Sequence, residues 1–451
     1  TKIGAGTLTL TGANTYSGGT TLSAGTLSIG NSSAVGTGTL TITGGTITND
    51  GGSYTVANAQ SWGGDFSMGT VAGTVTVSLR VSNTVSSNKV IAFTGSIDAD
   101  AAANNRTLTF NGLGVTGDID FTGAPIGGTK AFNTLTISNV HRAVMDAITL
   151  NAASGTALSI STEQQLRVVG NITTSGGGVT LVSGPPSVSV LSYNGVVVVS
   201  GATVSTGIGA VSMTGTGGNL GGSGVLINGA IQTTTGSITL TGTSSPSSSA
   251  FNGVHVSGGQ VTSGSGTISI TGTGNGSATS RGIRADGASS AITSTSGSIT
   301  LDGRRTGTSG PSVSSDANPT LGGGSGNVTF ITTSGDASTW QGVISGSGQL
   351  IKQGPVALTL SGLNTHSGAT AVNAGTLTAG VATTGANGAF GNATAVTMTN
   401  AAGAILDVNG FDNTIGSLAG GGATGGNVTF SSAATLTVGG TSMPKAAYTA
   451  S

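Results

Sequence analysis

The chain has 451 residues, of which 83 are glycine, 6% are charged and none is cysteine, and its formal net charge is −1. This composition argues against a nucleic-acid surface, because phosphate binding needs clustered Lys and Arg, and the lack of cysteine excludes disulfides and thiolate metal sites. No apolar run is long enough to cross a membrane, and no signal peptide opens the chain. Since residue 1 is not Met and lies within a repeat, we expect a segment of a longer chain.

A triplet of aliphatic, Thr or Ser, and aliphatic recurs along the whole chain. Its 15 copies follow one another with a mean step of 30. The copies begin at Leu8, Leu40, Val75, Leu108, Leu135, Leu158, Val179, Val211, Ile238, Ile268, Ile299, Val328, Leu358, Val396 and Val428. Period-2 alternation predicts strands, and a regular step of this size predicts a solenoid with one coil per repeat. We therefore predict an all-β, right-handed parallel β-helix (β-solenoid) of about 15 coils, each of roughly 30 residues.

Residues 1–60 contain short strands separated by glycines. Residues 105–335 keep the alternating pattern most regularly. Coils there open at Gly209, Gly236, Gly266, Gly297 and Gly326. One such coil holds alternating segments at 237–241, 253–256 and 260–263. This pattern predicts three strands per coil. By pattern alone, the region is similar to filamentous-haemagglutinin-type repeats.

Residues 2–30 recur as residues 352–380, with 16 of 29 positions identical at a constant offset of 350. The run from Gly6 to Gly18, GTLTLTGANTYSG, resembles the autotransporter-associated β-strand repeat. In the second copy, His366 stands in the place of Tyr16. The resemblance covers roughly residues 1–80 and 338–440. It implies a right-handed β-helix in the passenger region of a type V secreted bacterial protein, extracellular or at the outer-membrane surface, and it carries no catalytic residues over.

Three sections of one continuous solenoid are predicted from these patterns. Residues 1–104 hold the first repeat of autotransporter type, residues 105–335 hold the regular coils, and residues 336–451 hold the second repeat. In all three we expect aliphatic residues to fill an interior that offers no polar pocket. The residues predicted to point inward include Leu8, Leu10, Leu135, Ile137, Ile238, Leu240, Ile268, Ile270, Ile299 and Leu301.

The best cluster of acidic residues is Asp98, Asp100, Asp118 and Asp120. Two similar runs, 94–98 and 116–120, are separated by a constant offset of 22, so we expect Asp98 and Asp120 to stack on successive coils. Paired carboxylates can bind Ca²⁺ or act as acid and base, which makes a lyase or hydrolase acting on polysaccharides the alternative function. The interpretation that we favour is exposed Asp beside turns, with no catalytic, cofactor or metal site.

The remaining candidates for chemistry are histidines and hydroxyls. His141, His255 and His366 are widely separated in the sequence, and no metal-ligand spacing links them. Hydroxyls are expected to stack outward in columns, which on a flat solenoid face can bind ice or carbohydrate. The predicted columns are Thr9, Thr41, Thr76, Thr109 and Thr136, and Thr239, Ser269, Thr300, Thr329 and Thr359. The interpretation that we favour is that Thr is simply a good strand former that keeps a surface soluble.

A structural role follows from the low charge and the repetition. We expect a surface-displayed stalk, filament component or adhesin and no enzyme. The expected partners are a host or neighbouring-cell surface, glycans, or copies of the same chain associating end to end or laterally. No nucleic acid and no cofactor are expected. The Ser-rich loop 242–252 and the region of Asp98 and Asp120 are the first places to seek a ligand.

Overall fold

A computed structural model describes residues 1–50, 54–62, 66–68, 76–77, 89–92, 97–98, 107–111, 117–184, 192–246, 250–276, 278–306, 309–439 and 441–444. The chain divides into two compact units, Thr1–Leu181 and Val182–Ser451. No helix that could cross a membrane occurs among the described residues. Short strands alternate with glycine-rich turns throughout, and the predicted sections ending at 104 and 335 stay a prediction.

The strands that begin in the first unit are short. They are β1 (Thr7–Leu10), β2 (Thr20–Leu22), β3 (Thr26–Ile29), β4 (Leu40–Ile42), β5 (Thr46–Asn49), β6 (Thr55–Val56), β7 (Gln60–Trp62), β8 (Ser67–Met68), β9 (Thr76–Val77), β10 (Lys89–Ala92), β11 (Thr107–Asn111), β12 (Gly117–Asp120), β13 (Thr134–Val140), β14 (Arg142–Met145), β15 (Ile148–Leu150), β16 (Thr156–Thr162), β17 (Leu166–Val168), β18 (Ile172–Thr174) and β19 (Gly178–Ser183).

The second unit carries the longer series. Its strands are β20 (Val196–Val198), β21 (Thr203–Thr206), β22 (Val211–Thr216), β23 (Val225–Ile227), β24 (Ala230–Thr233), β25 (Ile238–Thr243), β26 (Asn252–Ser257), β27 (Gln260–Ser263), β28 (Ile268–Gly274), β29 (Arg281–Asp286), β30 (Ala291–Ser294), β31 (Ile299–Arg305), β32 (Val313–Ser315), β33 (Thr320–Gly322), β34 (Val328–Thr332), β35 (Ser338–Trp340), β36 (Val343–Ser345), β37 (Leu350–Gln353), β38 (Leu358–Leu360), β39 (Thr370–Val372), β40 (Thr376–Ala379), β41 (Asn387–Gly388), β42 (Gly391–Asn392), β43 (Ala395–Met398), β44 (Ile405–Asp407), β45 (Asn413–Ile415), β46 (Ser417–Gly420), β47 (Asn427–Thr429), β48 (Thr435–Val438) and β49 (Thr441–Pro444).

The middle of the second unit confirms the predicted parallel β-helix. Ile238 pairs in parallel with Ile268, Ile268 with Ile299, and Ile299 with Val328, so the step along the sequence stays close to 30. Each coil here gives one strand to each of three parallel sheets, represented by β25, β26 and β27. The predicted step and the three strands per coil are therefore correct in this region, where Thr239, Ser269, Thr300 and Thr329 form the expected column.

Both copies of the repeat have coils shorter than the predicted step of 30. Leu8 pairs with Leu27, and Leu358 pairs with Leu377, so the step is only 19 in each copy and the coil contributes two strands. Thr9 consequently lies beside Ser28 and not beside Thr41, which belongs to a different sheet. The predicted stacking was wrong here because the strands of both sheets carry the same alternating pattern, and spacing alone did not assign each triplet to its sheet.

Two further members of the predicted columns are also misplaced. Thr359 pairs with Thr339 and with Thr378, so it lies outside the column that contains Thr329. Thr76 pairs with Thr55 in a separate two-stranded sheet. By contrast, Thr109 pairs with Thr136, as predicted, and Thr136 pairs in turn with Ser159 after a shorter step. Loop length between strands therefore varies along the chain while the strand pairing is kept.

The coils bury the predicted aliphatic residues, with one exception. Eight of the ten residues predicted to point inward are at most 1% exposed, and burial of a side chain such as Leu240 stabilises the fold by about 2 kcal/mol. Leu8 is 39% exposed and Leu10 is half-buried, so the prediction was wrong for Leu8. In the described chain β1 pairs only with β3, which leaves the other side of Leu8 uncovered.

Glycine marks the point where the regular coils of the second unit begin, as the sequence predicted. A Cβ atom on Gly266 would lie 2.0 Å from the carbonyl oxygen of Gly236, and one on Gly297 would lie 2.0 Å from that of Gly266. Contacts this short leave no space for any other residue. The same column continues through Gly326 to Gly348 and Gly368, so the coils stay closely stacked at this corner when the step shortens.

Candidate functional site

The predicted carboxylate pair does not form. Ile97 bridges Ile126, which places Asp98 beside the 126–130 turn, and Asp120 lies beside Val144. Asp98 Oδ1 accepts the backbone N–H groups of Thr129 at 2.9 Å and Lys130 at 3.2 Å. The expected stack of Asp98 on Asp120 was therefore wrong, because the residue that pairs with Asp120 in the preceding coil is Ala92 and not Asp98.

Asp118 and Asp120 are also engaged locally. Asp120 Oδ1 accepts the N–H of Thr122 at 2.8 Å, which is the usual role of Asp in a turn. Asp118 Oδ1 lies 2.8 Å from Nδ1 of His141, the residue between β13 and β14. Asp100 lies outside the described residues. Each of the three carboxylates therefore holds a different partner, and within the described part of the chain no three His, Asp or Glu side chains are grouped to hold a metal ion.

The second histidine belongs to a short ladder of charged residues on adjacent strands. His255 Nε2 lies 3.0 Å from Asp286 Oδ2, and Arg284 Nε lies 3.1 Å from the same oxygen. Arg284 also reaches Asp316 at 2.9 Å. Burial lowers the pKa of His255, against the opposing effect of Asp286. Arg284 is thus matched by two acidic residues, and the ladder links three successive coils.

Each copy of the repeat contains a buried lysine that the sequence-based prediction of an aliphatic interior missed. Lys352 is 0% exposed, and its Nζ donates to the carbonyl oxygens of Gln353 at 2.9 Å, Gly354 at 2.7 Å and Ala374 at 3.0 Å. Lys2 makes the same three kinds of bond, the longest-range of them to Ala24 at 3.0 Å. Burial lowers the pKa of Lys352 to about 8. The ammonium group joins two turns of neighbouring coils, since its three N–H donors match three carbonyls.

The histidine that replaces a tyrosine performs the same task as that tyrosine. Tyr16 Oη lies 2.6 Å from Thr20 Oγ1, which itself donates to Val35 O at 3.0 Å. His366 Nε2 lies 2.9 Å from Thr370 Oγ1, which donates to Phe390 O at 2.9 Å.

Because the threonine hydrogen is already used, Tyr16 and His366 must both donate to the hydroxyl oxygen. His366 is therefore a neutral imidazole protonated on Nε2, and its Nδ1 is buried without a hydrogen-bond partner in the described structure. Burial lowers the pKa of His366 to about 4.

A signal for these buried polar residues was present in the sequence. Lys2 and Lys352, and likewise Thr20 and Thr370, are identical residues at the offset of 350. Asn14 and Asn364 are a third such pair, and their side-chain amides donate to Ala34 O at 2.6 Å and to Ala389 O at 2.7 Å. Polar identities between two copies, and not the aliphatic ones alone, mark the bonds that hold each repeat together.

Hydroxyl groups also lie inside the regular coils, at the end of the third strand. Thr233 Oγ1 donates to Gly236 O at 2.6 Å, and Ser294 Oγ donates to Gly266 O at 3.1 Å. Ser263 bonds to the same turns through Thr233 and Gly236. These hydroxyls, of which those of Ser263 and Ser294 are buried, satisfy turn carbonyls, so they fix the corner at which the third strand turns into the next coil.

On the outer side of that corner runs a groove with a volume of about 530 Å³, which we call the hydroxyl groove. Its wall consists of the outward side chains of Ser205, Gln232, Thr262 and Thr293, which pair in register on β21, β24, β27 and β30. The remaining lining is Gly207, Thr233, Thr234, Ser263, Gly264, Ser294, Thr295, Gly322 and Gly323. No residue of this lining is charged or aromatic.

Comparison with known proteins identifies both copies of the repeat. The family model of the passenger-associated transport repeat matches residues 1–29 and 350–379. The chain is also 31% identical, over 97% of its length, to the adhesin BmaC autotransporter of Brucella suis biovar 1 (strain 1330), of which it spans 14%. No solved structure matches. The predicted resemblance is confirmed: the repeat model matches both copies, and the chain is similar along nearly its whole length to part of an autotransporter.

Proposed function

We propose that this chain is part of the surface-displayed passenger of a bacterial autotransporter and acts in adhesion. The observation that supports this best is the similarity to an adhesin autotransporter over 97% of the chain. The stacked coils are consistent with it, because each coil contacts its neighbours and the array presents outward side chains repeatedly. The proposed partners are a host or neighbouring-cell surface, its glycans, or further copies of the chain.

We further propose that the segment has no catalytic centre. Catalytic acids and bases need titratable groups brought together in one site. Asp98, Asp118 and Asp120, the candidates for such a site, each hold a separate local partner. The alternative of a polysaccharide lyase or hydrolase therefore gains no support from their geometry.

Adhesion is tested with beads coated with the purified chain and applied to cultured host-cell monolayers. We expect retention of these beads above that of albumin-coated beads, and retention should fall when soluble chain is added as competitor. Equal retention of the two kinds of bead on every surface tried would overturn the adhesive function.

Catalysis is tested by incubating the chain with acidic and neutral polysaccharides and following new reducing ends and unsaturated uronates. We expect no turnover. A double variant, Asp98→Asn with Asp120→Asn, is the matched control, since an amide oxygen still accepts the turn N–H groups. Turnover by the wild-type chain that this variant lacks would contradict the proposal.

A further inference from the structure

The regular coils of the second unit combine a groove with an unusual lack of charge. No Asp, Glu, Lys or Arg occurs between Arg167 and Arg281, and this stretch supplies much of the hydroxyl groove. The groove volume of about 530 Å³ lies in the range of typical ligand sites, roughly 300–1,000 Å³. It crosses five paired strands, β21 to β33, so at about 4.8 Å per strand it runs roughly 20 Å along the coil axis.

We propose that the hydroxyl groove binds an extended, uncharged polysaccharide chain that lies along the coil axis. This inference rests on the proposed adhesive function and names where and what the segment binds. Hydroxyl and amide groups both donate and accept hydrogen bonds, as do the hydroxyls of a sugar. Four of them, on Ser205, Gln232, Thr262 and Thr293, are presented in register by successive coils, so similar contacts are offered to successive sugar rings.

Other classes of ligand fit the groove less well. An anionic polymer such as a nucleic acid or a sulfated glycan needs cations, and none lines the groove. A lipid or apolar peptide needs an apolar lining. An added β-strand needs an unpaired edge, whereas β24, β27 and β30 are each hydrogen-bonded on both sides. An uncharged chain rich in hydroxyls is the class that remains.

The side chains of the groove are also preorganised for binding. Thr262 and Thr293 are β-branched and held on paired strands, so their hydroxyls lose little freedom when a ligand binds. Behind them, Thr233, Ser263 and Ser294 fix the turns by buried hydrogen bonds. Single contacts of this kind are weak, but a ligand that spans several coils sums them. Affinity should therefore rise with the length of the glycan.

The test uses an array of neutral oligosaccharides of graded length, beside sialylated, sulfated and uronic-acid glycans. The probe is the purified full chain, as wild type, as Thr262→Arg, and as Thr239→Arg. Thr262→Arg fills the groove, whereas Thr239 lies on an outward strand position away from it, so Thr239→Arg is the matched control. Equal melting temperatures of the variants check that both fold.

We expect neutral glycans to bind more tightly as they lengthen, with little effect of added salt. Thr262→Arg should weaken binding by at least about tenfold, and Thr239→Arg should leave it unchanged. Binding confined to anionic glycans, no binding to any neutral glycan, or equal binding by both variants would each overturn the proposal.

Bead adhesion separates this inference from the function on which it rests. If beads carrying Thr262→Arg adhere as well as wild-type beads, adhesion stands and the groove is not its site. If wild-type beads do not adhere at all, the adhesive function itself fails.

Discussion

The two copies of the repeat, residues 2–30 and 352–380, make the same internal hydrogen bonds in different surroundings. Lys2 and Lys352 each bind three turn carbonyls, and Thr20 and Thr370 each relay a hydrogen bond to the next turn. The surroundings differ because β38 of the second copy packs on β35, whereas β1 of the first copy pairs only with β3 in the described chain.

Burial follows that difference closely. Leu8 is 39% exposed, but its counterpart Leu358 is 0% exposed. Tyr16 is 42% exposed, while His366 is 1% exposed. Polar bonds inside a repeat are therefore encoded within the repeat and the coil that follows it, whereas burial of its aliphatic face depends on the coil that precedes it.

The largest expected difference concerns the aliphatic face. Leu358→Ala should reduce the local stability of the second repeat by about 2–5 kcal/mol, because it opens a cavity between stacked coils. Leu8→Ala should reduce that of the first repeat by less than about 1 kcal/mol, because Leu8 is already exposed. Hydrogen exchange of the amides in each repeat measures both effects. Similar losses in both repeats would mean that the preceding coil does not decide burial.

Acid should affect the second repeat more than the first. The pKa of His366 is lowered from 6.5 to about 4, so the unfolded repeat takes up a proton at a higher pH than the folded one. The stability that neutral His366 contributes is therefore fully present above about pH 6.5 and is lost as the pH falls through about 4. The free energy of unfolding of the second repeat should fall by about 3 kcal/mol in total. Hydrogen exchange of residues 364–392, corrected for the intrinsic effect of pH, measures this loss.

Two variants serve as controls for the acid effect. His366→Gln keeps a donor toward Thr370 but takes up no proton, so its acid sensitivity should disappear. Tyr16→His, at a partly exposed position, should introduce a smaller sensitivity in the first repeat. Acid sensitivity that survives in His366→Gln would assign the effect to another group.

A smaller loss of stability, equal in the two repeats, is expected at the threonines that relay these hydrogen bonds. Thr370→Val removes the hydroxyl between His366 and Phe390 O, and Thr20→Val removes the one between Tyr16 and Val35 O. Each should cost about 1–2 kcal/mol. Thr20→Val leaves Val35 O without the hydroxyl donor, whereas Thr370→Val leaves the buried Nε2–H of His366 without its acceptor, since Phe390 O keeps a bond from Thr394 Oγ1 at 2.9 Å. Local hydrogen exchange again provides the measurement. Costs that differ as strongly as those of the leucines would show that these bonds also depend on the preceding coil.

The smallest effect is expected at an outward hydroxyl. Thr239→Ala should change stability by less than about 0.5 kcal/mol, whereas Leu240→Ala at the adjacent position should cost about 2–5 kcal/mol. Thermal unfolding followed by circular dichroism compares the two. Equal costs would mean that the strand faces have been assigned the wrong way round.

The sequence predicted the candidate sites only in part. It singled out Asp98 and Asp120 correctly as acidic residues beside turns, but the constant offset between their runs did not correspond to a stacked pair, because loops between coils differ in length. It did not reveal Lys352 as buried, since a lysine within an alternating strand normally points to solvent. Only the three carbonyls that converge on its Nζ explain why it points inward.

By itself, the sequence determined the all-β class, the stacking of alternating strands and the position of the glycine corners. These follow from local chemistry. Side-chain alternation decides which face of a strand is buried, and a corner where an added Cβ atom would lie 2.0 Å from a carbonyl oxygen accepts only glycine. Tertiary structure decided which strand pairs with which, how long each coil is, and where hydroxyls meet in a groove. Such choices depend on loop length and on contacts between distant parts of the chain, such as Leu8 with Leu27 or Ile268 with Ile299, which alternation within a single strand does not encode.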